Sequence, residues 1–280
     1  YDYFYMNSID MNMNIEKYLE RIGYNKSITN DLDTLKKIVF AHSISIPFEN
    51  LNPLLKLPVK IDKDSVQNKL VQNKRGGYCY EQNTLLFHVL TEIGYEVRPL
   101  AGRVIWKQPM NSINSLTHMF LLVNVNDKEY LVDVGFGGQS LTTPIEFILD
   151  TEQETTHEPC RIIKYEDDYI LQTKISEEWN AMYRFNKSKQ YFEDFEVGNW
   201  YTSTHPEFLF NNILSVAKPY ENGRYTLHNN TFKQYELNGI VSSKTIKSVA
   251  EFRQLLEDVF FISLDQLEHL DDKIHELISN

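Results

Sequence analysis

Cys79, His118 and Asp133 have the types and the chain order of a thiol acyl-transfer site, which needs a nucleophile, a base and a carboxylate that orients the base. Cys79 lies in Arg75-Gly76-Gly77-Tyr78-Cys79-Tyr80-Glu81-Gln82-Asn83, ahead of the apolar Leu85, Leu86, Phe87, Val89 and Leu90. Two glycines closing a charged stretch before a long apolar segment predict a tight turn that feeds a buried helix, with Cys79 in its first turn. Unpaired backbone N–H groups and the positive end of the helix dipole favour a thiolate there, and the thiolate is the nucleophile. A lone cysteine is more often an inert buried residue, so the segment by itself leaves both readings open.

The histidine and the carboxylate favour the catalytic reading. Residues 119–125 and 128–134 read as apolar strands around a polar two-residue turn, Asn126-Asp127. That turn pairs Val125 with Lys128, and the register then carries His118 and Asp133 onto one face as diagonal neighbours. Diagonal positions stand about 7–8 Å apart by backbone, a gap that an imidazole and a carboxylate close between them. A four-residue loop keeps this register, whereas a three-residue loop would put the two side chains on opposite faces. Asp133 is flanked by Leu131, Val132 and Val134, so its charge needs a partner. Singly, His118 is an ordinary strand-end histidine and Asp133 a turn residue; the combination with a helix-start cysteine is less easily accidental.

The elements that must position these residues follow from periodicity. Ile15, Tyr18, Leu19 and Ile22 recur at helical spacing before Gly23, and Leu32, Leu35, Ile38, Val39 and His42 do so after candidate caps at 29–31. Residues 62–73 predict a third helix and the Cys79 segment a fourth. From Tyr95 the pattern becomes strand-like, at 97–106, in the 119–134 hairpin, and at 161–165, 169–175 and 179–185, broken by polar turns such as Glu166-Asp167-Asp168. Beyond Phe195, strands at 224–228 and 231–237 mix with two late helices. Ser248 with Glu251 and Ser263 with Gln266 fit the capping-box spacing and predict where those helices start. The fold class expected is α+β: an N-terminal helical bundle over 1–92 with the nucleophile, a central antiparallel β-barrel over 93–195 with His118 and Asp133, and a C-terminal α/β lid over 196–280.

Composition narrows the partners. Among 280 residues, 28 basic side chains face 39 acidic ones, a formal charge of −11. That balance argues against nucleic acid and against an anionic membrane. Cys79 and Cys160 are the two cysteines, and no ligand spacing joins them to histidines, so neither a disulfide framework nor a metal site is expected. No apolar run has the length of a membrane span, and residues 1–14 lack the basic start and apolar middle of a signal peptide, so the cytoplasm is the expected location. The chain opens on Tyr1 rather than Met, with Met6 ahead of a polar stretch, and its first residues are left out of the fold prediction.

Four spaced segments carry a family resemblance: Ile46-Pro47-Phe48-Glu49-Asn50-Leu51, the block from Arg75 to Asn83, Val132-Asp133-Val134-Gly135-Phe136-Gly137, and Asn199-Trp200-Tyr201-Thr202-Ser203-Thr204-His205-Pro206. In that order, and over nearly the whole chain, they resemble the arylamine N-acetyltransferases. The resemblance implies the three-domain architecture, a cysteine-protease-like Cys-His-Asp core at Cys79, His118 and Asp133, and a ping-pong mechanism through an acetyl-cysteine. It implies acetyl-coenzyme A as a donor substrate, with no permanently bound cofactor, and arylamines, arylhydrazines or hydrazides as acceptors. Phe48, Trp106 and Phe136 match aromatic positions near the acceptor pocket, where plain core packing is the other reading. Gly135 and Gly137 are candidate cofactor contacts through their backbone, as are Asn114 and Ser115, which stand where vertebrate members carry Thr-Gly. Arg75 and Glu81 read as a scaffold of structural ion pairs, and Asn83 either as a loop-fixing group or a buried polar contact. His205 lies in a hallmark segment without an evident chemical task. Two rival functions use the same residues. A cysteine hydrolase or transglutaminase-like acyl transferase would keep the triad and send the acyl group to water or a protein amine. A non-catalytic binding protein would lack a triad member, and all three are present.

Overall fold

Side-chain caps set the first helices in the computed structural model, which describes residues 13–237 and 239–279. Tyr1 and Met6 lie outside the described residues. Asn14 accepts from Lys17 N (2.9 Å) to open α1, Ile15–Arg21, and Asp31 accepts from Thr34 N (2.8 Å) to open α2, Leu32–Ser45. A two-residue strand β1, Phe48–Glu49, and a single turn α3, Leu51–Leu54, follow. Asp62 caps α4, Lys63–Val66, which runs on as a π-helical turn over Gln67–Gln72, so the helix expected at 62–73 is wider in its second half. Next comes α5, Cys79–Ile93, closed by Gly94 in a left-handed conformation at φ 102.

The middle of the chain forms one antiparallel sheet of seven strands: β2 Glu96–Val104, β3 His118–Val125, β4 Lys128–Val132, β5 Ile145–Glu146, β6 Cys160–Tyr165, β7 Asp168–Ile175 and β8 Glu178–Phe185. Their order is β5-β4-β3-β2-β8-β7-β6, and bridges from Leu149 to Ile162 and from Gln153 to Cys160 carry the chain beyond β5 onto β6. The sheet is thereby nearly closed into a barrel. Helix α6, Phe192–Thr204, leads to a second sheet made of β9 Ser215–Tyr220, β10 Gly223–His228, β11 Thr231–Glu236 and β12 Gly239–Thr245, with β1 added at its other edge. Helix α7, Val249–Gln254, a π-helical turn over Leu255–Val259 and helix α8, Leu270–Ser279, end the described chain. No helix among the described residues is long and apolar enough to cross a membrane.

Ser248 does cap α7, accepting from Glu251 N. Ser263 and Gln266 start no helix, contrary to their spacing. Ser263 N donates to Lys74 O (3.1 Å) and Gln266 accepts from Asn73 (3.2 Å), so both are used to dock this segment on the N-terminal region, and α8 begins only at Leu270.

Strand β3 explains how the helices and the barrel meet. Met119, Leu121 and Val123 face a core shared with α1, α2 and α5, while Phe120 and Leu122 face the barrel interior with Leu131, Met182 and Tyr183. Both faces of this strand are therefore buried, and period-2 alternation selects which core each residue enters rather than core against solvent. Helix α5 is buried from Cys79 through Leu86 for the same reason. A third core lies between the second sheet and α7 and α8.

A buried polar chain crosses the first core. Tyr18 Oη donates to His42 Nδ1 (2.9 Å), His42 Nε2 donates to Gln82 Oε1 (2.8 Å), and the Gln82 amide donates to Pro47 O (2.8 Å) and Ile46 O (3.2 Å). It ties α1, α2 and α5 to the loop that carries Phe48. Burial holds the His42 imidazole down at about 4, against an ordinary 6.5, despite the Gln82 hydrogen bond. Because the folded value is depressed, the stability from a neutral His42 is complete above about 6.5 and is lost as pH falls toward about 4, a change of up to about 3 kcal/mol. Denaturant midpoints measured across that range should fall more steeply in the native chain than in His42→Gln. Parallel slopes would show that His42 is not held neutral.

Candidate active site

The Cys79 turn is built by close approach. Gly77 N donates to Pro47 O (3.2 Å) and Glu49 N donates to Gly77 O (3.1 Å), which presses the two glycines against β1. A Cβ on Gly76 would stand 2.2 Å from Pro47 O, so no larger residue fits there. Around this turn lies a buried charge cluster. Arg75 donates to Glu49 (2.6 and 3.1 Å) and to Asn52 (3.0 Å), Lys69 pairs with Glu81 (2.6 Å), and the Glu81 carboxylate accepts from Tyr78 N (3.2 Å) at the start of α5. Arg75 and Glu81 hold the turn and lie outside the cleft. Tyr78 Oη donates to Asn199 on α6, whose own amide donates to Val59 O (2.9 Å). Cys79 is thus the first residue of a 15-residue helix, 4% exposed, with its Sγ 3.8 Å from Thr117 O.

The hairpin has the register that its two-residue turn dictates, from Val125 opposite Lys128 to Leu121 opposite Val132. Pairing stops there. His118 continues opposite Gly102 on β2, while Asp133 leaves the ladder and turns toward it. His118 Nε2 donates to Asp133 Oδ2 at 2.6 Å, with both side chains buried. The other oxygen, Oδ1, accepts from Gly135 N (3.0 Å) and from Asn83 (3.1 Å). Asn83, one turn after Cys79 on α5, also donates to Met119 O (2.8 Å) and accepts from Val134 N (3.2 Å), so it fixes both strands of the hairpin to the helix that Cys79 opens.

Burial pulls the His118 imidazole down, but the Asp133 charge and hydrogen bond, with Cys79 on the other side, outweigh it and raise it to about 10. With Nε2 directed at Asp133, Nδ1 is the nitrogen left for the thiol. The ring is packed by Tyr183 (4.7 Å between centroids), Phe136 (5.3 Å, edge-on) and Phe120 (6.2 Å, stacked). Burial pushes the Tyr183 phenol well up, so it stays neutral. Tyr183 is a site neighbour that no local motif marks; alternation in 179–185 puts it on an inner face, and only barrel closure brings that face to His118. The second cysteine, Cys160, lies in the barrel interior, where burial pushes its thiol up to about 12.

Cys79 and His118 line a cleft of about 1490 Å³. Drug-sized ligands occupy pockets of about 300–1,000 Å³, so this one has room for an extended ligand and a second small molecule. Phe48, Trp106, Phe136, Gly135 and Gly137 all line it. Asn114 and Ser115 are not on its walls. The Asn114 amide donates to Val104 O (2.5 Å) and Gln108 (2.9 Å), which folds its own loop. The cleft's other wall comes from the second sheet, including Arg224, Thr226, His228 and Lys233, residues that the sequence motifs do not single out. His205 caps the C-terminus of α6 and accepts from Glu207 N, a structural task.

A family model described as N-acetyltransferase matches residues 31–269. An arylamine N-acetyltransferase of Mycolicibacterium smegmatis is 41% identical over 265 residues, covering 93% of this chain and 96% of that protein. This chain belongs to the arylamine N-acetyltransferase family. The crystal structure of a Mycobacterium smegmatis N-arylamine acetyltransferase matches with a TM-score of 0.92 at 39% identity, covering 96% of this chain and 100% of that one. The Mycobacterium marinum arylamine N-acetyltransferase solved in complex with CoA matches with a TM-score of 0.91 at 35% identity, covering 94% and 99%.

In this arylamine N-acetyltransferase fold, Gly135 is the contact between the hairpin and the helix. A Cβ there would lie 2.6 Å from Cys79 Cα and 2.8 Å from the Asn83 amide. Gly135→Ala must push the strand off the helix start, and overpacking of this kind costs about 1–3 kcal/mol. The expected outcome is a lower denaturant midpoint together with a loss of Cys79 alkylation by iodoacetamide. Unchanged values of both would mean that this contact is slack.

Proposed function

We propose that this chain transfers an acetyl group from acetyl-coenzyme A to the nitrogen of arylamines, arylhydrazines or hydrazides, through an acetyl group carried on Cys79. The observation that carries this reading is the Cys79 thiol beside a His118–Asp133 pair joined at 2.6 Å, on the wall of a cleft whose volume of about 1490 Å³ has room for a long donor. The coenzyme A complex of the Mycobacterium marinum relative supports the donor.

In the proposed cycle His118 takes the thiol proton, and the Cys79 thiolate attacks the thioester carbonyl. The first N–H groups of α5 have no intrahelical acceptor and are donors for the oxyanion. The carbon–sulfur bond to coenzyme A breaks, and the leaving thiolate recovers a proton from His118. A neutral amine then attacks the acetyl-cysteine, His118 accepts its proton, and Cys79 leaves as thiolate. Asp133 keeps the imidazolium stable and its Nδ1 turned to sulfur. Phe48, Trp106 and Phe136 provide an aromatic floor for the acceptor ring. Gly135 and Gly137 meet the donor as cleft wall without a Cβ, their own N–H groups being given to Asp133 Oδ1 (3.0 Å) and Ser140 Oγ (2.8 Å). The nucleophile comes from the segment 1–92, the base and its partner from 93–195, and the far wall of the cleft from 196–280.

Intact-protein mass spectrometry after mixing with acetyl-coenzyme A should show one acetyl group, mapped to Cys79, that disappears as 4-aminobenzoate is acetylated. An adduct cleared equally fast by water would point to a hydrolase instead. Asp133→Asn removes the charge that raises His118, so the imidazole loses its proton at lower pH. Alkylation of Cys79 at neutral pH should then slow and recover only as pH climbs. A pH profile that superimposes on the native one would remove Asp133 from the mechanism.

A further inference from the structure

The second sheet, which walls the cleft across from the barrel, is pinned at both ends of β9. The first pin is Asn50, fully buried. Its amide donates to Phe210 O (2.9 Å) and Ile213 O (2.7 Å), and its Oδ1 accepts from Ser215 N (2.7 Å), beside the pairing of Phe48 with Ala217. The second pin comes from the barrel loop between β5 and β6. There His157 directs Nε2 at Tyr220 O (2.8 Å) and Gly223 O (3.0 Å), the residues that flank the β9–β10 turn, and the adjacent Glu158 pairs with Arg224. Among the described residues, every hydrogen bond between 96–185 and 215–245 passes through His157 or Glu158.

This second pin is braced on both sides. Two carbonyl oxygens can only accept, so Nε2 carries the proton and Nδ1 is left to accept from the buried Thr142 hydroxyl (2.8 Å). Leu141, just before it, donates its N–H to Asp133 O (2.9 Å), so the brace stands on the segment that follows the triad carboxylate. On the sheet side, Tyr220 Oη donates to Tyr235 O (2.9 Å), and a Cβ on Gly223 would stand 2.0 Å from that same oxygen. The turn therefore moves β10 and β11 as one body, together with Arg224, Lys233 and Tyr235 on the cleft wall. At about 3.3 Å per residue, β9 sets the two pins roughly 17 Å apart. Without the second, the wall is free to swing about Asn50.

We propose that Thr142 and His157 are positioning residues for the donor substrate: by fastening the β9–β10 turn to the barrel they set the width of the cleft, and with it the hold on the part of a long donor remote from its thioester. This rests on the donor reading given above and adds what keeps the wall in place for that donor. A wall already fixed at the right distance spends none of the binding energy on closing. A short thioester or a small amine reaches Cys79 without spanning the cleft and gains nothing from the pin.

The test compares two donors: acetyl-coenzyme A, and the acetyl thioester of N-acetylcysteamine, which is its reacting end without the nucleotide. Thr142 does not line the cleft, so Thr142→Val removes the hydroxyl without removing a donor contact. In this variant kcat/KM for acetyl-coenzyme A should fall about 3-fold to 10-fold, the ratio that one hydrogen bond of ordinary strength carries. Acetylation of Cys79 by the short thioester, and transfer from acetyl-Cys79 to 4-aminobenzoate, should stay at the native rates. Thr142→Ser keeps the hydroxyl and should restore the long donor. An unchanged value with acetyl-coenzyme A would overturn the proposal, and so would an equal fall with both donors, which marks Thr142 as general packing. A native protein acetylated by neither donor would instead overturn the donor reading itself. Amide hydrogen exchange gives an answer independent of any variant. In the native chain coenzyme A should slow exchange over residues 220–224 while N-acetylcysteamine leaves it unchanged, and equal effects of the two thiols would overturn the proposal.

Discussion

A carboxylate removed from water has to be met by donors from the protein, and Asp133 imposes that requirement on the whole centre of the molecule. It has no exposed surface and accepts three hydrogen bonds, from His118 on β3, from Asn83 on α5 and from its own chain at Gly135. Losing any of them would leave part of a buried charge unsatisfied, at a cost of kilocalories rather than tenths. The helix that begins at Cys79 and the strand that begins at His118 are therefore held to one point by a single group. The grouping of Cys79, His118 and Asp133 and the packing of helices on barrel are the same structural fact.

Around that point the molecule is layered in polar networks rather than apolar contacts alone. The Tyr18–His42–Gln82 chain holds the loop of Phe48 from behind, and the Arg75–Glu49 and Lys69–Glu81 pairs hold the glycine turn from below. Buried networks of this kind are weak evidence for stability, because desolvation offsets most of their attraction. Their effect here is positional: they fix backbone that bends sharply and carries no side chain of its own.

What could be read from the sequence was what depends on near neighbours. Asp31 and Ser248 cap helices because their oxygens reach a backbone N–H three residues on, and the hairpin's register follows from a two-residue turn and a period of two. Elements that exist only through distant partners were not legible. β1 is two residues long and is a strand because β9, far along the chain, pairs with it; β12 is exposed at every position and has no alternation to detect. Ser263 and Gln266 show the converse, a local pattern overridden by contacts with residues 73 and 74. In the site, the motif pointed to Gly135, but its closeness to Cys79 Cα is a three-dimensional fact. Asn114 donates its amide to Val104 O, a contact within its own loop that the sequence pattern does not show.

The two walls of the cleft have different freedom to change. One is made of residues locked between two cores, where a substitution disturbs both at once. The facing wall includes β11, which is half-exposed along most of its length and bordered by the wholly exposed β12. Drift in such a hairpin alters little beyond what it faces, so descendants of this chain can acquire new appetites for substrates while the sulfur and its partners stay as they are.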